Sequence, residues 1–556
     1  MQKPCLFGLL LVTLSAPVAA SDADAAAAMD ALLARHHKAD APGCAVGAYR
    51  GAGLLHAGAF GMANLELGVP ITPASAFDIG STSKQFTALS ALMLARDGKL
   101  SLDDDIRRYV PELPAYAAPI TLRHLLNHTG GVRDYIDLLR MSGAHDDDVT
   151  TARRALRLLA LQQGTHFAPG DRHEYSNSGY FLVALAVEKA SGKSLRAFAQ
   201  ERIFAPLGMR HSLYRDDHAE LVSHRAMAYE MDDQKGWRLD VSNWEQMGDG
   251  GIVTTVGDLA AWNGNFTVPV VADAALLREL HERATLADGS QVPYALGVIH
   301  GIHRGHAKVE HGGSWGGYVS NFVRFPEHGL GVAVLCNSPD QPLDELVHQV
   351  ADLYLPAAPG ALAAPAKGKR EVVPQDAARL QAWVGTYRGE WRSGVISIRF
   401  KHGALEVQKD DEAYPLQPVG DRTAQVGNVP VDVLLTLEPA TQDRPRRVRQ
   451  EVDGAAQGEF LAFEPAASTP AQLRAYAGTY RCPEVEADYR VQVAGDSLAM
   501  VSPRGDATTL AQREAGYFAG DGRVLQFTPA AAASAPGLRL GTTRAQGLRC
   551  ERISAN

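Results

Sequence analysis

A nine-residue segment, Leu380-Gln-Ala-Trp383-Val-Gly385-Thr-Tyr387-Arg388, returns as Leu473-Arg-Ala-Tyr476-Ala-Gly478-Thr-Tyr480-Arg481, displaced by 93 residues at every matched position. That spacing is too long for a solenoid of short units. Between and after the two copies run short alternating segments broken by Gly, Asp and Pro, the pattern of antiparallel strands. Two tandem small antiparallel β-barrels, residues 375–467 and 468–556, satisfy both observations. Upstream, residues 356–374 (PAAPGALAAPAKGKREVVP) are rich in Ala, Pro and Gly without an amphipathic period and read as a linker. Before the linker, residues 21–355 alternate helical and strand-like patterns, as expected of one larger α/β unit.

The 556 residues fit this division, at roughly 150 residues per domain. With 46% apolar and 21% charged residues, the chain is neither disordered nor collagenous nor a bare coiled coil. A net charge of −9 offers no electrostatic footprint for nucleic acid, so no nucleic-acid partner is expected. The apolar run from Cys5 to Ala20 is too short for a membrane span. Lys3, the apolar run Leu6 to Leu14 and the small residues Val18-Ala19-Ala20 instead spell a secretory signal, residues 1–20, cut before Ser21. A periplasmic or secreted protein follows. Cys5 stands too early to be a lipid-modified first residue.

Export permits disulfides, and Cys44, Cys336, Cys482 and Cys550 allow three pairings. Cys482 and Cys550 share one segment and are the preferred pair. Cys44 and Cys336 lie in apolar strand-like runs and read as buried free thiols. No cysteine has the spacing of a zinc site, and neither a metal nor a cofactor is expected.

Three segments can carry chemistry. Among the lysines only Lys84 has a serine three residues earlier, in Phe77-Asp-Ile-Gly-Ser81-Thr-Ser-Lys84. The segment opens an apolar helical run that ends at Asp97-Gly98. The i, i+3 spacing stacks Ser81 and Lys84 on the first turn, where a desolvated amine can take the serine proton and free N–H groups can meet an oxyanion. The second segment holds Tyr175 and Asn177 ahead of a helical run: a phenol able to share proton transfer with Lys84, and an amide able to bond both Lys84 and a substrate carbonyl. The third is His311-Gly312-Gly313-Ser314 between strand-like stretches, its glycines read as room for a ligand's backbone.

Taken together, the order Ser81-Lys84, Tyr175-Asn177, His311-Gly-Gly resembles the serine β-lactamase and penicillin-binding-protein superfamily, class C-like branch. The resemblance covers about residues 28 to 350 and extends to Leu122-Arg-His-Leu-Leu-Asn-His128-Thr-Gly-Gly131, Ile203-Phe-Ala-Pro-Leu-Gly-Met209 and Gly248-Asp-Gly-Gly-Ile-Val-Thr254. It implies an antiparallel sheet flanked by helices, with Ser81 as acylated nucleophile and Lys84 as proton acceptor. Tyr175 would activate the water or leaving amine, and the N–H groups of Ser81 and Ser314 would form the oxyanion hole. Where the family usually has Lys-Thr-Gly, this chain has His311-Gly-Gly, and a neutral imidazole binds carboxylate less well than an ammonium.

That departure, with a linker and two lipocalin-like barrels, is similar to the D-aminopeptidase group. There a loop of the last domain contacts the substrate amine, and the tip Ser502-Pro-Arg-Gly-Asp506 is a counterpart, although a plain solvated turn is the preferred reading. Small molecules or short peptides are the implied substrates. A class C-like β-lactamase or carboxylesterase is the alternative, and a non-catalytic sensor the more distant one.

Other patterns carry less. Gly312-Gly-Ser314-Trp-Gly316 matches a nucleophile elbow, but no helical period follows. His300, His303 and His306 surround two glycines in a hairpin-like stretch and read as a solvated turn. His128 reads as a residue that holds a loop near the site. Nothing indicates an oligomeric state.

Overall fold

The computed structural model describes residues 21–356, 370, 372–389, 394–401, 403–409, 412–429, 433–452, 455–465, 467–514, 516–527 and 537–554. Residues 1–20, where a secretory signal is expected, and most of the linker lie outside these residues. Among the described residues no helix is long and apolar enough to cross a membrane.

The first unit is built on a six-stranded antiparallel sheet. Its strand order is Ile299–His303, His306–Trp315, Tyr318–Phe325, Leu330–Cys336, Cys44–Arg50, Gly53–Phe60. Strands from the two ends of the unit therefore meet in mid-sheet. Leu330–Cys336 (LGVAVLC) is buried at every position, because both faces are covered, which is why it reads as a continuous apolar run rather than an alternation. Helices Asp22–Ala34 and Leu343–Tyr354 pack on one face with Val46, Val332 and Val334. The other face receives Tyr49, Phe322 and Leu335 against a thicker layer that includes Lys84–Arg96, Asn177–Ser191 and Val256–Asn265.

The register corrects one expectation. Cys44 stands directly opposite Cys336 in the central strand pair, and the two form a disulfide with Cα atoms 4.0 Å apart. They are 292 residues apart in sequence, so only the closing of the sheet brings them together. Cys482 and Cys550, on neighbouring strands of the last unit, form the other disulfide, as their shared segment suggested.

Beyond the linker, eight strands between Gly385 and Phe463 close one antiparallel barrel, and eight between Gly478 and Ser554 close another. In each the first strand pairs with the last. The repeated segment is the entrance to each barrel. A short helix, capped by Asp376 in the first and Thr469 in the second, precedes the first strand. The tyrosine of that strand then donates its hydroxyl to a carbonyl four residues back, Tyr387 to Trp383 and Tyr480 to Tyr476, at 2.7 Å in both. A buried phenol needs such a partner, which accounts for the recurrence of this residue and its spacing.

Candidate active site

Ser81 lies on a turn of 3₁₀ helix, Gly80–Ser83, that runs into the helix Lys84–Arg96. Gly80 has φ +47°, and a side chain there would press within 2.7 Å of the Ser314 nitrogen. A side chain on Gly313 would meet the Ile79 carbonyl oxygen at 1.9 Å. The strand His306–Trp315 therefore lies flush against the nucleophile turn. Gly313 is required by this packing, whereas a side chain on Gly312 would have no atom closer than 3.5 Å. Two hydroxyls fasten the seam: Thr82 donates to the His311 carbonyl at 2.9 Å, and Ser320 donates to the Ile79 carbonyl at 2.7 Å. The backbone of Ser314 is thus held beside that of Gly80 and Ser81, where two N–H groups can converge on an oxyanion.

Lys84 is fully buried. Its Nζ lies 3.0 Å from Ser81 Oγ, 3.0 Å from Asn177 Oδ1 and 2.6 Å from the Asp249 carbonyl oxygen. An ammonium spends its three N–H groups on these acceptors; a neutral amine in the same place presents a lone pair to the serine hydroxyl. Asn177 opens the helix Asn177–Ser191, and its N–H is taken by Asp134 Oδ2 at 2.7 Å. The Asp249 carboxyl, pushed up to about 6 by burial, accepts the Tyr135 hydroxyl at 2.9 Å. Asp249, Tyr135 and Asp134 carried no motif; the segment around Asp249 drew attention only as part of the resemblance.

The Tyr175 ring centroid is 4.9 Å from Lys84 Nζ. His128 lies against that ring at 4.2 Å and against Tyr294 at 4.5 Å, and its Nδ1 accepts the Ser176 N–H at 3.2 Å. Burial holds His128 well below its usual range, so it is a neutral wedge that positions the loop carrying Tyr175. His311 Nδ1 is 2.6 Å from the Gly312 carbonyl oxygen, and Nε2 is 3.0 Å from the Tyr294 hydroxyl. The carbonyl can only accept, so Nδ1 carries the hydrogen and Nε2 accepts from the phenol. Burial, aided by Lys84, lowers His311 to about 3. It is neutral with both nitrogens engaged, and supplies no cation. Tyr294, its anchor, is isolated in the sequence and had no signal.

A cleft lined in part by Asp78, Tyr135, Trp244, Asp249, Trp315 and Tyr318 runs beside the nucleophile turn. The Ser502–Asp506 tip does not enter the site. Arg504 Nε donates to the Gly143 carbonyl at 2.6 Å, and Asp506 is 68% exposed on a turn closed by Ser502 and Asp506 backbone groups. The second barrel reaches the site through a different turn, between the strands Leu538–Gly541 and Leu548–Ser554. There Arg544 Cζ stands 5.2 Å from the Tyr175 ring centroid. Ser314 is followed by a turn and a strand, which excludes the elbow reading. His300, His303 and His306 lie on a hairpin whose tip, Arg304-Gly305, is exposed; His300 and His303 are part-buried and His306 buried, in contact with the His281 carbonyl, the Asp352 carboxylate and the Pro356 carbonyl.

A family model described as Beta-lactamase matches residues 25–355. The chain is 32% identical over 292 residues to a D-aminopeptidase of Brucella anthropi, covering 51% of this chain and 54% of that protein, about half its length. It is 27% identical over 473 residues to a D-aminopeptidase of Gluconobacter oxydans, covering 84% of each. The fold is also that of an octameric penicillin-binding protein homologue from Pyrococcus abyssi, with a TM-score of 0.54 and 23% identity over 78% of this chain and 99% of that one. The family match takes in all three motifs and well over half of the sequence, and on that ground this chain belongs to the Beta-lactamase family and is a serine hydrolase.

Proposed function

We propose that this chain is an exported serine hydrolase that removes N-terminal D-residues from small peptides, amides or esters through an acyl-enzyme on Ser81. The observation that carries the chemistry is the 3.0 Å contact between Ser81 Oγ and the buried Lys84 Nζ. Ser81 Oγ attacks the scissile carbonyl carbon as its proton passes to the neutral Lys84 amine. The oxyanion is met by the N–H groups of Ser81 and Ser314. Collapse breaks the C–N bond, and the departing amine takes a proton relayed from Lys84 by way of Tyr175. Water then attacks the acyl-enzyme by the same route in reverse, releasing the acid and restoring the serine hydroxyl.

The D-residue assignment is supported by the two D-aminopeptidase relatives and by a neutral His311 where the resemblance would otherwise have a lysine. Export is supported by the signal-like residues 1–20 and by two disulfides, which persist in oxidising compartments.

The test is hydrolysis of D-alanine p-nitroanilide against its L-enantiomer. A D-selective rate that vanishes in Ser81→Ala is expected. Lys84→Ala should lose at least about a thousandfold, because such groups act as a unit; retention of a tenth of the rate sinks the base assignment. Inertness to both enantiomers with turnover of short acyl esters identifies an esterase, and efficient cephalosporin turnover a β-lactamase.

A further inference from the structure

The turn Thr542–Gln546 of the second barrel is held against the catalytic domain by its backbone and short side chains. Thr542 Oγ1 and the Arg544 N–H both donate to Asp137 Oδ2, at 2.7 and 3.0 Å. The Asp134 N–H donates to the Arg544 carbonyl at 2.9 Å, Gln546 N–H to His166 Nε2 at 3.0 Å, and Arg133 Nε to the Gln546 carbonyl at 2.9 Å. Asp134 is also the residue that accepts the Asn177 N–H, so the turn and a side chain touching Lys84 are set by one anchor.

These contacts use the backbone of Arg544 and leave its guanidinium over the Tyr175 ring. Three other arginines along this seam each have a carboxylate: Arg133 with Glu484, Arg157 with Glu486, Arg504 with Asp148. The half-exposed Arg544 side chain has no hydrogen-bond or ion-pair partner among the described residues; it lies on the Tyr175 face and within the electrostatic reach of Asp134. Lys84 Nζ is held by Ser81, Asn177 and the Asp249 carbonyl, and His311 is engaged at both nitrogens. An anionic group bound next to Tyr175 therefore finds the Arg544 guanidinium with its hydrogen-bond donors unspent among the described residues, and a guanidinium presents a planar fork of donors that matches a carboxylate.

We propose that Arg544 recognises a carboxylate on the leaving-group side of the substrate, so that short peptides with a free C-terminus are the preferred class over capped amides and neutral esters. This deepens the function proposed above and rests on its placement of Ser81 and Tyr175.

The experiment compares kcat/KM for D-alanyl-glycine and D-alanyl-glycinamide, and for the acetyl esters of 3-hydroxybenzoate and 3-hydroxybenzamide after correction for spontaneous hydrolysis. The wild type should favour the acid of each pair by about 10- to 100-fold, the scale of a hydrogen-bonded charge contact. Arg544→Ala should lose that preference and Arg544→Lys keep part of it, and added salt should reduce it. A wild type that treats acid and amide alike overturns the proposal, as does an Arg544→Ala enzyme that slows both members equally, which marks a merely structural residue. The ester pair separates the two readings. An Arg544-dependent preference on the esters with inert peptides upholds the carboxylate site and removes the D-residue assignment. Absence of turnover on both pairs overturns both.

Discussion

The first barrel, closed between Gly385 and Phe463, and the second, closed between Gly478 and Ser554, begin with the same capped helix and back-bonded tyrosine, yet they are joined to the rest of the molecule differently. The first packs Trp383, Tyr387, Leu435 and Phe460 into a core made of its own side chains. The second has Tyr480, Leu498 and Phe518 in one continuous cluster with the catalytic domain. Across that seam Arg133 and Glu484, 9% and 2% exposed, form an ion pair at 2.9 Å, and the Tyr489 hydroxyl donates to the Met141 carbonyl. A repeated segment therefore specifies how a barrel closes. What a barrel docks on is set by residues outside the repeat, here Glu484, Glu486, Tyr489, Arg504 and the turn bearing Arg544.

The largest expected effect is at the seam. Glu484→Ala strands the buried Arg133 and also removes the acceptor for the N–H groups of Gln163 and Arg549. It should cost about 3–5 kcal/mol in chemical denaturation and depress activity with it. A loss below about 1 kcal/mol would mean that the second barrel docks no more firmly than the first.

Next comes the covalent difference. The first barrel, residues 375–467, contains no cysteine, whereas the second is bridged from Cys482 to Cys550. Replacing both by Ser should cost about 2–4 kcal/mol, seen as a calorimetric shift in the transition that carries the second barrel and the catalytic domain. If the first barrel melts lower as well, the two are not independent.

A smaller effect is read through pH. Burial raises the Asp134 carboxyl above its usual range, opposed by Arg544 and by the N–H groups of Asn177 and Ile136. The fold thus favours the protonated form, and the stability this provides at low pH is lost as pH rises through the raised pKa. Asp134→Asn stays neutral, so its Tm relative to wild type should climb as pH rises above the usual carboxylate range and through the raised pKa. The climb should steepen in an Arg544→Ala background. A flat difference breaks the electrostatic link between the second barrel and the site.

The smallest effect is expected in the first barrel. Lys401 and Glu406 pair at 3.5 Å, 50% and 38% exposed, and Glu406→Ala should change stability by less than about 0.5 kcal/mol. A change as large as that for Glu484→Ala would remove the contrast between the barrels.

Much of the site was legible because its signals are local. Ser81 and Lys84 share a helical turn, Tyr175 and Asn177 stand at a helix start, and the glycines of the third motif sit on one strand. One reading failed where a distant element intervened. Cys336 was read as a free thiol, and it is bonded to Cys44 across the sheet.

The sequence by itself determined the helix that carries the nucleophile, the division into one α/β unit and two barrels, and the plan by which each barrel closes. All of these follow from periodicity, turn residues and repetition within a few dozen positions. The tertiary structure alone decided that His311 is a neutral residue tied to Tyr294, that Lys84 rests against the Asp249 carbonyl, and that Arg544 rather than Asp506 arrives beside Tyr175. The physical reason is that burial, charge state and the partner of a side chain are properties of the packed assembly. Arg133 and Gln546, 413 residues apart, are neighbours through packing and not through any pattern either carries.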